Sequence, residues 1–422
     1  MSNRVLIIGV SFNNDVGVGI TLQNLFSSIQ PNLIGIIDYC VTNNDFKYAK
    51  RLFNIGSDAE IAEDKNCNEI KSAHKKKWIE KIKVNFLILA FLSLRKSLAY
   101  YYNNFSKYDI TPNLKKFIAD FKPDFLYVVP YNGKIVDLTL RLSILYNIPI
   151  VAHFMDDFRK RSPSDVFYYL NEFLTRQRIK RIVEKSYKCL AICESMAKEY
   201  EKILNKQFYF FHNPINTDVF KMYKFNAHRK DPLVLRIVYT GTIAENNVDT
   251  LIMFSCVCER LSAGENKFYF DIYSPHNKSN IFYQRLIKSI QGYSYTAFKG
   301  RIAHSEIVPT LFNYNLLMLP LSFKKRYHSV IEFSFPTKVA EYMASGIPTL
   351  YILPPGIALH DYIKKHEIGF LIDHLDVARI EAFLLSFIND PSIQGEDLRA
   401  KEIAYRSFDI VEVASKFEKI FS

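Results

Sequence analysis

The chain has 422 residues, 49% apolar and 23% charged, which excludes a disordered polymer and exceeds what one ordinary hydrophobic core organises. Its six cysteines (Cys40, Cys67, Cys189, Cys193, Cys256 and Cys258) show neither paired zinc-ligand spacing nor a disulfide framework, and the N-terminus enters an apolar strand without a signal-peptide pattern, so a cytoplasmic protein is expected. The net charge of +12 is uneven: residues 1–225 carry 33 Lys and Arg against 22 Asp and Glu, whereas residues 226–422 carry 22 against 21, so the first half is expected to face something anionic.

Short β-branched runs alternate with amphipathic stretches, the pattern of parallel sheets covered by helices, so the fold class is α/β. In chain order, strands are expected at Val5–Val10, Ile34–Asp38, Phe125–Pro130, Pro149–Phe154, Cys189–Cys193 and Phe208–Phe211. A second set follows at Leu235–Thr240, Phe268–Tyr273, Thr296–Phe298, Leu316–Leu319, Thr349–Ile352 and Gly369–Ile372. Between the sets, Lys221–Pro232 is polar and strand-poor, as an interdomain linker would be. These readings divide the chain into a domain over 1–220, a second over 233–400, and a C-terminal helical segment over 401–422 expected to pack back across both. Its apolar stripe is expected to run through Phe408, Val411, Phe417 and Phe421.

Residues 71–96 hold eight basic side chains against the single acid Glu80, and they surround the apolar run Val84–Leu94. That run is too short to cross a bilayer, which takes about 20 apolar residues. Lys75, Lys76, Lys77, Trp78, Lys81 and Lys83 beside it suit a helix lying in the headgroup layer of an anionic leaflet, and they predict a peripheral protein on the inner face of the membrane. A nucleic-acid partner is not expected, because the basic run is interleaved with aliphatics rather than with stacking aromatics.

The most informative stretch is Ser334–Pro348 (SFPTKVAEYMASGIP). Ser334 is expected to cap a helix whose first turn holds Pro336, Thr337 and Lys338. Free backbone N–H groups and the positive end of the helix dipole attract phosphate there, and Lys338 adds a full charge. Glu341 falls one turn after Thr337, where a carboxylate can accept both hydroxyls of a ribose. Gly346 is expected to end the helix, with Pro348 opening the next strand. A helix N-terminus, a lysine and a glutamate together describe a pocket for a nucleoside diphosphate.

This segment resembles the nucleotide-binding signature of retaining glycosyltransferases of the GT-B fold, in particular the family-4 type. Further matches lie in order along the chain. Val238–Thr242 resembles the strand and glycine that open the second domain, Phe298–Arg301 the turn near the base, and Asn213–Phe220 the interdomain asparagine segment. Gly17 and Gly19 ahead of a helix over Leu22–Ile29 resemble the glycine loop facing the donor, and Val151–Asp156 the histidine-plus-aspartate strand end lining the cleft. One departure stands out. The family often carries a second glutamate eight positions before the one matched by Glu341, and that place holds Phe333, with Glu332 one residue too early.

The resemblance implies two Rossmann-like domains facing across a cleft and transfer with retention from a sugar nucleotide, with no cofactor and no required metal. It implies donor contacts from Gly17, Gly19, Gly241, Thr242, Gly300, Arg301, Phe335, Pro336, Thr337, Lys338 and Glu341. Lys338 would neutralise the departing diphosphate, His153 would bond a sugar hydroxyl, and Asp156 would face the acceptor. A glycan or polyprenyl-diphosphate-linked acceptor, in cell-envelope polysaccharide assembly, suits the membrane segment. Two alternatives remain open at this point: a catalytically weak subunit that acts as a membrane-associated partner, and a sugar-nucleotide epimerase of the same fold.

Overall fold

The computed structural model describes residues 3–12, 17–61, 107–158, 168–225 and 231–422. The membrane-segment residues Lys75, Lys76, Lys77, Trp78, Lys81 and Lys83 lie outside them. The chain forms two compact units, one of residues 1–212 with 413–422, the other of residues 213–412. Among the described residues no helix is long and apolar enough to cross a membrane.

The first unit is built on an eight-stranded sheet. Its strands are β1 (Val5–Ile8), β2 (Ile34–Asp38), β3 (Arg51–Asn54), β4 (Ala59–Ile61), β5 (Phe125–Val128), β6 (Ile150–Phe154), β7 (Ser186–Ala191) and β8 (Phe208–Phe210). They run in the order β4-β3-β2-β1-β5-β6-β7-β8, parallel throughout except for the β3–β4 pair. Strands such as Val5–Ile8 are buried on both faces, which is why they read as unbroken apolar runs rather than alternating ones. Helices start where side chains satisfy first-turn amides: Thr111 accepts from the Leu114 amide and Asn132 from the Ile135 amide.

β3 and β4 were not anticipated. Arg51-Leu-Phe-Asn54 and Ala59-Glu-Ile61 are short and partly polar, the second at the sheet edge and the first next to it, so neither carries the apolar run of a central strand.

The C-terminal helix Ile410–Glu418 places Val413, Ala414 and Phe417 inward, and Phe417 and Phe421 join the first unit's core against Phe26 and Tyr127. The expected stripe is corrected at two positions. Val411 points outward at 70% exposure, and Phe408 packs in the second unit against Phe335. The helix starts only at Ile410, so Phe408 precedes it, and Val413 and Ala414 take the inward place expected of Val411, while Phe417 and Phe421 face inward as expected.

The second unit carries a six-stranded, wholly parallel sheet: β9 (Val234–Thr240), β10 (Lys267–Tyr273), β11 (Thr296–Gly300), β12 (Leu316–Pro320), β13 (Thr349–Ile352) and β14 (Phe370–Ile372). The order β11-β10-β9-β12-β13-β14 reverses direction between β9 and β12. In such doubly wound sheets the loops after the strands part at that reversal, and a crevice opens at the carboxyl ends. The first sheet has its corresponding reversal between β1 and β5.

Candidate functional site

The loop after β9 begins with Gly241, whose amide donates to the Tyr273 carbonyl at 2.8 Å. Its φ of +141° is closed to other residues. Opposite it the helix Lys338–Ser345 starts, with Thr337 at its N-cap and no side-chain cap bond, and Gly346 ends it at φ +66°. Ser334 is therefore not the cap. It closes a separate turn, its amide donating to the Ile331 carbonyl, because the preceding helix Lys325–Ile331 reaches almost to it.

The helix is tied to the strand end: the Tyr342 hydroxyl accepts the Thr240 amide hydrogen at 2.9 Å. Lys338 folds back so that its Nζ lies 4.1 Å from the centroid of the Tyr239 ring and donates to the Tyr239 hydroxyl at 2.9 Å. A β-carbon at Gly241 would occupy the place of that amine.

Glu341, one turn along and 15% exposed, sits 3.7 Å from Nε2 of His304, which opens the helix His304–Leu311. Burial pushes the Lys338 amine down to about 7, against the opposing pull of Glu341. Burial likewise pushes the Glu341 carboxyl up to about 7, against the opposing pull of Lys338. An anion reaching this helix start would restore the full charge on Lys338.

At the end of β11, Gly300 adopts φ +84°, and a β-carbon there would press on His276 at 2.9 Å from Nε2. The exposed His276 packs edge-on against Phe298 at 4.9 Å and shares a hydrogen bond with the Tyr283 hydroxyl at 3.1 Å. Arg301 follows and is exposed. Phe335 packs against Tyr362 and Phe408. Phe333 is buried, and Glu332 is the C-cap of the preceding helix.

In the first unit, Gly17 and Gly19 belong to the first turn of the helix Gly17–Leu25 rather than to a loop ahead of it. A β-carbon at Gly17 would meet nothing within 4 Å. His153 departs from expectation more sharply. It is 0% exposed within β6, its Nδ1 lies 2.6 Å from the Tyr127 hydroxyl, and burial pushes it down to about 3, so it is a neutral core group. The face of β6 that carries it is covered by the C-terminal segment, whose Phe417 and Phe421 pack on Tyr127; that contact is invisible in the local motif.

Asp156 and Asp157 diverge. Asp157 is buried and accepts from the Tyr200 hydroxyl at 2.8 Å, whereas Asp156 is exposed beside Tyr131, whose ionisation is opposed by burial and then by that carboxylate. Both line a cavity of about 180 Å³ at the carboxyl ends of β5 and β6, with Tyr131, Asn132, Thr175 and Arg178. Among the described residues no group of three or more His, Cys, Asp or Glu side chains is placed to hold a metal.

Sequence reasoning missed Tyr239, Asn247, His276 and Tyr131. Only Tyr239 lies within a motif already singled out, Val238–Thr242, where the resemblance gives it no role of its own.

No protein-family model matches the chain, and no curated protein matches it. Solved structures do. A sucrose-phosphate synthase from Thermosynechococcus elongatus superposes with a TM-score of 0.64 at 12% identity, over 99% of this chain and 98% of its own. The Anabaena protein HepE, in complex with UDP-glucose, gives 0.61 at 11%, over 99% and 98%. A glycosyltransferase from Rickettsia africae gives 0.61 at 11%, over 100% and 98%. At these identities the likeness is one of fold, and the fold of this chain, two α/β units each built on a mainly parallel sheet, is that of the GT-B glycosyltransferases.

Proposed function

We propose that this chain is a retaining glycosyltransferase that moves a sugar from a nucleoside-diphosphate sugar to a glycan or lipid-linked acceptor at the inner face of the membrane, in cell-envelope polysaccharide assembly. The observation that carries the proposal is the Lys338 amine held beside Gly241 at the sheet reversal, on the same helix turn as Glu341. A diphosphate at that helix start would meet the amides of Thr337 and Lys338 and the Lys338 ammonium. Glu341 would accept the ribose hydroxyls, Thr242 would border the phosphates, and Gly300 with Arg301 would lie toward the base. Gly17 and Gly19 are further donor contacts in this proposal, and Asp156 faces the acceptor. Phe335 and Pro336 set the approach to the helix. His153 has no part in it.

In this mechanism the acceptor hydroxyl attacks the anomeric carbon from the face the diphosphate leaves. The bond from that carbon to the bridging phosphate oxygen breaks, and the acceptor proton passes to the departing diphosphate. No protein nucleophile is needed. The chain's own contribution is positioning and neutralisation of the charge growing on the diphosphate, for which Lys338 is placed. The site described takes neither metal nor cofactor in this scheme. The basic segment with Lys75, Lys76, Lys77, Trp78, Lys81 and Lys83 would hold the first unit on an anionic leaflet.

The test is thermal-shift screening with UDP-, GDP-, ADP- and CMP-sugars, followed by NMR of the product of the stabilising donor. A transferred sugar with its anomeric configuration kept supports the reading. Inversion of configuration overturns retention, an epimerised donor points to the epimerase, and binding without turnover points to the inactive partner subunit.

A further inference from the structure

The Tyr239 hydroxyl has a full set of partners. It donates to the Thr242 carbonyl at 2.9 Å and accepts from Nζ of Lys338 at 2.9 Å and from Nδ2 of Asn247 at 3.0 Å. Asn247 is itself fixed, since its Nδ2 also donates to the Thr242 carbonyl at 3.0 Å and its Oδ1 accepts from the Ala244 amide at 3.0 Å. Tyr239 and Asn247 are 1% and 7% exposed, so these bonds form away from competing water. The Tyr239 ring then offers its face to the amine, an arrangement that favours the cation. The loop 241–247 and the Lys338 amine are thus set by one phenol.

We infer that Tyr239, braced by Asn247, is a positioning residue that holds the Lys338 ammonium over Gly241 so that its remaining N–H groups face the diphosphate of the donor. Gly241 belongs to the same device, because any side chain there would take the space of the amine. The inference rests on the donor-site reading of Lys338, but Tyr239 reaches ligand only through that lysine. A flexible lysine would lose rotamer freedom on binding; here the loss is met during folding, which favours affinity. Around the amine lie Glu341 on its own helix, which faces His304 of the neighbouring one, and the buried phenols of Tyr239 and Tyr342, held un-ionised.

Two readouts on the full chain separate this from a merely structural role. Amine labelling of Lys338, followed by mass spectrometry across pH, reads its titration midpoint without any ligand. In the wild type the midpoint falls near 7. In Tyr239→Phe the amine loses its hydroxyl acceptor, so the midpoint leaves the wild-type value, downward where the amine stays buried and upward where it swings out to water, with a smaller change in Asn247→Ala. An unchanged midpoint in both variants, with circular dichroism unaltered, overturns the proposal.

Calorimetry with UDP, GDP and ADP, and with their nucleosides, supplies the second readout. Tyr239→Phe should weaken the diphosphate that the wild type binds by about tenfold, as loss of a hydrogen bond to a charged group does, and leave its nucleoside unchanged. If Lys338→Ala weakens the diphosphate and Tyr239→Phe does not, the positioning role is overturned. If Lys338→Ala binds every diphosphate as the wild type does, the donor-site reading fails instead, and the titration alone decides Tyr239.

Discussion

Gly241 and Lys338 share one volume: the space a side chain would need at Gly241 is occupied by the Lys338 amine. Gly241→Ala should therefore expel that amine and force a non-glycine residue to φ +141°. Strain of this kind costs roughly 1–3 kcal/mol. Thermal unfolding should shift down, and calorimetry should show a diphosphate affinity as poor as that of Lys338→Ala. Full affinity in Gly241→Ala would mean that Lys338 can serve from another position.

Glu341 and Lys338 should separate by ligand part. Glu341→Ala should weaken nucleoside and nucleoside diphosphate alike by about 1.5–3 kcal/mol, the worth of a hydrogen bond to a charged group. Inorganic pyrophosphate binding should be nearly unchanged. Lys338→Ala should show the reverse pattern. Calorimetry with the three ligands reads it, and unchanged nucleoside affinity in Glu341→Ala would remove the ribose role.

The raised Glu341 and lowered Lys338 values predict a stability minimum near neutrality in the unliganded protein. A carboxyl raised in the folded state from 4.5 to about 7 leaves stability intact below 4.5 and removes it as pH rises toward 7. An amine lowered from 10.5 to about 7 penalises the fold below 7, and the penalty is relieved as pH rises from 7 toward 10.5. The melting temperature of wild type minus that of Glu341→Gln should accordingly fall between pH 4.5 and 7. A flat difference would show that Glu341 is well solvated.

Phe417 packs at 5.0 Å from Phe26 and 5.3 Å from Phe211, inside the first unit's core. Phe417→Ala should cost about 3–5 kcal/mol, the usual price of emptying a buried aromatic site. Val411→Ala, on the exposed side of the same helix, should change little. Urea unfolding of the two variants makes the comparison, and similar midpoints would contradict the packing of the C-terminal segment.

The proposed membrane contact has its own test. Changing Lys75, Lys76 and Lys77 to glutamate should release the protein from vesicles containing phosphatidylserine while leaving circular dichroism unchanged. Screening over about 8 Å at physiological salt keeps the effect local. Transfer to a soluble acceptor analogue should survive and transfer to a lipid-embedded acceptor should fall. Flotation equal to wild type in low and high salt would remove the membrane role.

Sequence alone determined what depends on local pattern. The central strands read as apolar runs because both faces of a parallel sheet are covered, and the helix end at Gly346 reads from the left-handed residue that glycine supplies. The pairing of Lys338 with Glu341 reads from helical spacing, which places residues three apart on one side. Tertiary structure decided whatever depends on which distant segment arrives. Tyr239 meets Lys338 across 99 residues, and Tyr200 meets Asp157 across 43. His153 became a core group because the last ten residues of the chain, Val413–Ser422, return to the first unit. Strand β3 forms because β2 offers it backbone partners, and the edge strand β4 because β3 does, a cause their own half-polar sequences do not carry. Side-chain spacing encodes the face of an element, but the partner on that face is chosen by packing.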